Sequence, residues 1–106
     1  MDLTQYGKPL HRGSANVWKR GEPVRGKLYL LEQALIHQQE GHHLRSDTFI
    51  IELKDIESVS FKNFLGFIPN GLLIKTMDGE AHSLVVNRRK NWKEKIDTQR
   101  QTLKQL

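Results

Sequence analysis

Residues 72–92 read Leu72-Leu73-Ile74-Lys75-Thr76-Met77-Asp78-Gly79-Glu80-Ala81-His82-Ser83-Leu84-Val85-Val86-Asn87-Arg88-Arg89-Lys90-Asn91-Trp92, and the periodicity changes once within them, at Asn87. Before that point a period-two run folds back through Asp78-Gly79, a preferred two-residue type I′ hairpin turn. After it the spacing is helical. At about 100° per residue, Trp92, Ile96, Gln99, Leu103 and Leu106 fall in one sector, and Arg89, Lys93, Arg100 and Lys104 fall beside it, interrupted by Asp97. The first stripe is predicted to be buried and the second solvated, as for a helix lying on a sheet. Charge divides at the same place. Residues 1–87 carry 10 Lys/Arg and 10 Asp/Glu, whereas residues 88–106 carry 7 and 2, so the net charge of +5 belongs to the tail.

Upstream of the hairpin the chain reads as more short strands. Residues 15–20, centred on Val17 and Trp18, form a first strand that ends in a turn at Gly21-Glu22-Pro23. Residues 28–31 and 35–38 follow, joined through Glu32-Gln33, which are poor residues for a tight turn. After a polar loop over residues 40–47, Phe49, Ile51 and Leu53 alternate with Thr48, Ile50 and Glu52, and Val59 and Phe61 come after a turn at Lys54-Asp55. Seven short strands leave no room for crossover helices, so the sheet is antiparallel. Such a sheet curls into a bent barrel whose open end needs a plug, and the C-terminal helix is predicted to supply it. Residues 1–13 are expected to be a flexible lead-in and residues 14–106 the domain.

Length and composition narrow the function classes. A chain of 106 residues is one domain with a core that holds without staples. It has no cysteine, hence no disulfide or thiolate chemistry. The first residues lack the apolar run of a signal peptide, and nowhere do about 18 apolar residues follow one another, so a soluble cytoplasmic protein is expected. No glycine-rich phosphate loop, nucleophile elbow or zinc-protease helix occurs. The adjacent His42-His43 could hold a metal only with further ligands such as Glu40 or Asp47, and a polar loop is the simpler reading. His37 and His82 fall at strand positions, in a barrel wall. Asp55 and Glu57 sit at a turn and on a strand, not facing one another as an acid–base pair. No cofactor, metal or enzymatic activity is expected.

Four segments in order resemble one family. Glu22-Pro23-Val24-Arg25-Gly26-Lys27-Leu28-Tyr29-Leu30, Leu53-Lys54-Asp55-Ile56-Glu57-Ser58-Val59, Asn70-Gly71-Leu72-Leu73-Ile74-Lys75-Thr76-Met77-Asp78-Gly79 and Arg89-Lys90-Asn91-Trp92 are similar to the strands, final hairpin and helix opening of GRAM domains. The likeness covers roughly residues 15–100. It departs from the family pattern at Leu31-Glu32-Gln33-Ala34, where members often carry a threonine-asparagine turn and a basic residue. The resemblance implies the pleckstrin-homology-like superfold, a seven-stranded bent barrel capped by a C-terminal helix, which hosts lipid, peptide and purely structural roles.

Two basic clusters are candidates for an acidic ligand. Relatives that bind lipid hold the phosphates near the first two strands and their connection, which implies Lys19, Arg20, Arg25 and Lys27 here; the alternative is a scattered, solvated surface. Arg88-Arg89-Lys90 stand at a helix start, where cations oppose the macrodipole at roughly 0.3–1 kcal/mol each and a bound anion would relieve them. They are loop residues if the helix begins later. Phe64, Leu65, Phe67 and Ile68 around Gly66 form an apolar segment that is either exposed for docking or folded inward to close the barrel, and the family resemblance favours inward. The expected function is thus a non-enzymatic binding module for an anionic lipid headgroup or other acidic ligand at a peripheral membrane site. The alternative is a protein-interaction or self-assembly module using a sheet edge or the Phe64 to Ile68 loop. Nucleic acid is the weakest option, because Trp92, assigned to the core, leaves the basic helix nothing to stack on bases.

Overall fold

The computed structural model describes residues 4–19, 21–40, 48–64 and 66–106. Among them, seven strands precede one α-helix: β1 (Pro9–Lys19), β2 (Glu22–Leu31), β3 (Ala34–Gln39), β4 (Thr48–Glu52), β5 (Ile56–Phe64), β6 (Ile68–Thr76), β7 (Ala81–Val86) and α1 (Arg89–Lys104). Short 3-10 turns stand at Thr4–Tyr6 and Leu53–Asp55. The strands form one antiparallel sheet in the order β4-β3-β2-β1-β7-β6-β5. It curls on itself, because Ile51 of one edge strand and Val59 of the other enter the same buried cluster. The polar loop with His42 and His43 lies outside the described residues.

The inner face is set by alternation. In β2, Gly26, Leu28 and Leu30 point into the core while Arg25 and Lys27 point out, the period expected of a half-buried strand. Trp92 of α1 lies on that inner face at 2% exposure. Its indole meets the His11 ring edge-on with centroids 4.5 Å apart. A side chain at Gly13 would begin 3.4 Å from the indole, so β1 offers the ring a flat seat there. Ile96 is buried one turn on, and Gln99 Nε2 donates to Glu32 O at 2.8 Å. Leu106, the last member of the predicted stripe, is exposed because the helix has ended.

The neighbouring charged stripe departs from the expected solvated face. Lys93 and Arg100 both pair with Asp97, and Arg100 Nη2 donates to Ile56 O at 2.9 Å and Glu57 O at 3.0 Å. A guanidinium fork reaches two backbone carbonyls at once, so the helix is fastened to the start of β5 by polar bonds as well as by its apolar stripe.

The sheet also begins earlier than expected. Strand β1 starts at Pro9, within the stretch expected as a lead-in, and Tyr6 packs with Tyr29 and Ile50 around buried Leu31, Ala34 and Ile36. Gln33 N–H donates to Tyr6 O at 2.9 Å, and Lys8 N–H to the Glu32 carboxylate at 2.7 Å. The turn between β1 and β2 is displaced too: Lys19 pairs with Glu22 and Pro23 lies inside β2 opposite Trp18. The bond from Glu40 N–H to Arg25 O shows that odd-numbered residues of β2 turn their peptide groups toward β3. That strand reaches no further than Gly26, so the missing N–H of Pro23 costs no ladder bond.

One side chain ties three strands together. His37 of β3 reaches across β2 at Gly26, and its Nε2 lies 2.9 Å from Ala15 O on β1. A carbonyl only accepts, so Nε2 carries the proton; Nδ1 is buried without a partner among the described residues. Burial favours the neutral ring and, as the largest influence, holds its pKa below the ordinary 6.5; the Ala15 bond opposes this and Lys19 adds to it. The unfolded chain therefore takes up the proton first. Stability is complete above pH 6.5 and falls as the pH drops below that value toward the lowered pKa. Thermal melts are expected to show a level Tm above this point and a decline below it. His37→Gln, which can still donate to Ala15, flattens most of the decline, leaving the part due to His11, whose pKa is lowered first by burial and then by Lys95. An unchanged slope in that variant removes His37 from the role.

Candidate functional site

The junction between β7 and α1 is strained and uncapped. Arg88 has φ 55° and ψ 56°, a left-handed conformation that costs a non-glycine residue about 1–2 kcal/mol. It is the N-cap, makes no side-chain capping bond, and is followed by a first turn without an acidic residue. The first helical bond runs from Trp92 N–H to Arg88 O at 3.1 Å. The N–H groups of Arg89, Lys90 and Asn91 are thus the orphan donors of the helix start. Arg88 and Lys90 are exposed beside them.

Arg89 does something different. Its Nη1 donates to Lys62 O and to Asn63 Oδ1, both at 3.1 Å, and its guanidinium lies 4.7 Å from the centroid of Phe61. The three consecutive cations therefore do not act alike: two project, and the middle one binds the helix start to the end of β5. Lys62 in turn donates through Nζ to Ser83 Oγ at 2.9 Å.

Directly beyond Asn63 comes the β5–β6 hairpin. Phe64 pairs with Ile68, so this segment is a hairpin tip and not the inward plug that the family resemblance favours. Gly66 takes φ 79° at the tip, Phe67 is 74% exposed and Ile68 is half-buried. The reason lies in the ladder. Pairing of β5 with β6 continues out to Phe64 and Ile68, so the segment is held in the ladder and carries Phe67 outward instead of over the barrel end opposite the helix. Leu65 and the side chain of Phe64 lie outside the described residues.

The other basic cluster does not converge. Lys19 shares the inner face of β1 with Val17, and its Nζ stands 5.4 Å from the Phe49 ring centroid. Arg25 and Lys27 are exposed on the opposite face, where Lys27 Nζ reaches Ser14 Oγ at 3.4 Å. Arg20 lies outside the described residues. Two residues apart on one strand does place Arg25 and Lys27 together, but the strand separates them from Lys19 by the thickness of the sheet.

A further site comes from residues that the sequence did not single out together. Glu52, Asp55, Asp78, Glu80 and His82 line an open groove of about 700 Å³ between β4 and the β6–β7 hairpin. Asp78 accepts from Thr76 Oγ1 and from Glu80 N–H at 3.0 Å, and these two bonds, the hydroxyl first, hold its pKa below the usual carboxylate range. His82 Nε2 lies 3.8 Å from the Glu80 carboxylate, and its ring meets Phe49 at 5.0 Å. The only local signal was Asp78-Gly79, which marks a turn and not a site. No group of three or more acidic or histidine residues is placed to hold a metal ion among the described residues, and no described helix is long and apolar enough to cross a membrane.

No protein-family model and no curated protein matches the chain. Solved structures do match it. The C-terminal domain of an unknown protein from Leishmania infantum is similar at TM-score 0.75 and 17% identity, over 88% of this chain and 84% of that one. The linker-DH/PH region of p115-RhoGEF gives TM-score 0.77 and 17% identity over 96% of this chain, which spans 31% of that longer one. The Slm1-PH domain, solved in complex with phosphoserine, gives TM-score 0.61 and 9% identity over 86% of this chain and 91% of that one. At these identities the likeness is one of fold, and the fold is pleckstrin-homology-like.

Proposed function

We propose that this chain is a non-enzymatic binding module of the GRAM type, working at the cytoplasmic face of a membrane, and that its ligand is an anionic lipid surface. The observation that carries this is the tether from Arg89 to Lys62 and Asn63, which sets the uncapped basic helix start beside the hairpin that exposes Phe67. An aromatic tip, projecting cations and free N–H donors on one rim are what an anionic interface rewards. Burying a Phe side chain contributes about 1.5–3 kcal/mol, and a cation near an anionic leaflet about 1 kcal/mol. Such a sum gives weak, reversible attachment. The phosphoserine complex of the Slm1-PH domain supports the reading insofar as the same fold there accommodates an acidic ligand.

Co-sedimentation with phosphatidylcholine vesicles, with and without phosphatidylserine, tests it. The protein is expected to pellet with the anionic vesicles, less as salt rises. Phe67→Asp, and Arg88→Glu combined with Lys90→Glu, each lower the partition about tenfold or more, since either change removes a kcal/mol or two. Absence from the pellet at every lipid composition overturns the proposal.

A further inference from the structure

Among the described residues the sheet ends at β4, which pairs with β3 alone, and β5, which would close the barrel, is the opposite edge. Leu53 N–H donates to Gln33 O at 3.0 Å. Antiparallel ladders alternate, so Ile51 and Phe49 also turn their peptide groups to β3, while those of Ile50 and Glu52 face away from it. Both residues line the acidic groove. Met77 N–H on Asp55 O, at 2.8 Å, closes one end of the seam, and beyond it the β6–β7 hairpin stands clear of β4. A row of donors and acceptors without a ladder partner among the described residues thus borders a trough with an opposite wall.

The charge of this trough runs against that of the chain. With 17 Lys/Arg against 12 Asp/Glu overall, no described Lys or Arg lines it, and the carboxylates of Glu52, Asp55, Asp78 and Glu80 do. We propose that the β4 edge and the β6–β7 hairpin receive an extended segment of a partner protein, added as a further strand, with Lys or Arg at alternate positions. Main-chain bonds to Ile50 and Glu52 provide the seat. Alternation sends every second side chain of the added strand to one face, which suits a lysine or arginine repeat of period two. Ile50, on the same face of β4 as Glu52, supplies apolar contact for the stems of those side chains.

The test uses the whole chain and a short acetylated, amidated peptide of alternating lysine and valine. In amide-resolved NMR titrations the Ile50 and Glu52 signals are expected to shift most, and the affinity to fall with salt. The same peptide N-methylated at alternate amides, which cannot complete the ladder, and a version with glutamate in place of lysine, are each expected to bind about tenfold more weakly or not at all. Asp55→Lys combined with Glu80→Lys, both at exposed positions, lowers the affinity for the lysine peptide similarly. Equal binding of the N-methylated or the glutamate peptide overturns the proposal, as does binding that the double variant leaves unchanged. A homodimer in light scattering whose Ile50 and Glu52 amides resist exchange also overturns it, by giving the edge to a second copy.

Discussion

Trp92→Ala is expected to lose about 3–5 kcal/mol of folding stability, a large share of the roughly 5–15 kcal/mol available to a domain of this size. The ring is 2% exposed, rests on the bare backbone at Gly13 and meets His11 edge-on. Removing it leaves a hole that the surroundings are poorly placed to fill. Gly13 has no side chain to move in, and the helix is held at its set height by Arg89, Gln99 and Arg100, each bonded to a backbone carbonyl of the sheet or its turns. The cost is therefore that of a cavity under a helix that stays in place. Urea and thermal unfolding measure it, with Leu106→Ala, at an exposed position, as the silent control. A Tm equal to that of the parent would end the assignment of α1 as the cap.

The second large effect is at Gly26. A Cβ there would stand 2.2 Å from Gln38 O and 2.6 Å from His37 Cε1, and the nearer contact is with backbone, which cannot rotate aside. Gly26→Ala must push β3 away from β2 and also displace the imidazole from Ala15, and it combines overpacking of about 1–3 kcal/mol with a lost hydrogen bond of about 1 kcal/mol. We expect a total near 3 kcal/mol. Adding His37→Ala to Gly26→Ala relieves only the ring contact, so the double variant recovers part of the loss and not all. Unfolding of the two variants side by side decides it, and a Gly26→Ala protein as stable as the parent refutes the crossing.

What could be read beforehand was whatever rests on local chemistry. The change of period at Asn87 and the helical spacing of Trp92 and Ile96 each carry their own instruction, and the structure follows them. Asp78-Gly79 marks its hairpin but not the expected type I′ geometry, because Gly79 N–H donates to Thr76 O, which makes Met77 and Asp78 the central residues, and Gly79, not Asp78, takes positive φ. The joint at Glu32-Gln33 was legible in place but not in cause. Those residues turn well only because Tyr6, Lys8, Leu53 and Gln99 supply bonds from elsewhere in the chain. Pro23 misled because a proline signals a turn unless its side of the strand has no neighbour, which is a fact of topology. Phe67 misled for a related reason: whether an apolar turn folds inward depends on how far the flanking ladder runs, and here β5 and β6 pair out to Phe64 and Ile68. The site residues were the least legible. Arg88, Arg89 and Lys90 look alike in sequence and are separated by which backbone atoms lie within reach, and the groove gathers carboxylates from two distant segments, Glu52 and Asp55 on one side and Asp78 and Glu80 on the other.

The imidazole that passes over Gly26 acts as a latch on alignment. Sliding the first hairpin by a single step would turn a side chain of β2 into the space the ring occupies, while sliding β3 would carry Nε2 away from Ala15 O and leave the buried ring N–H without its acceptor. Only one stagger of these three strands satisfies both demands, so a single uncharged histidine excludes the neighbouring misalignments that Leu-rich strands would otherwise tolerate.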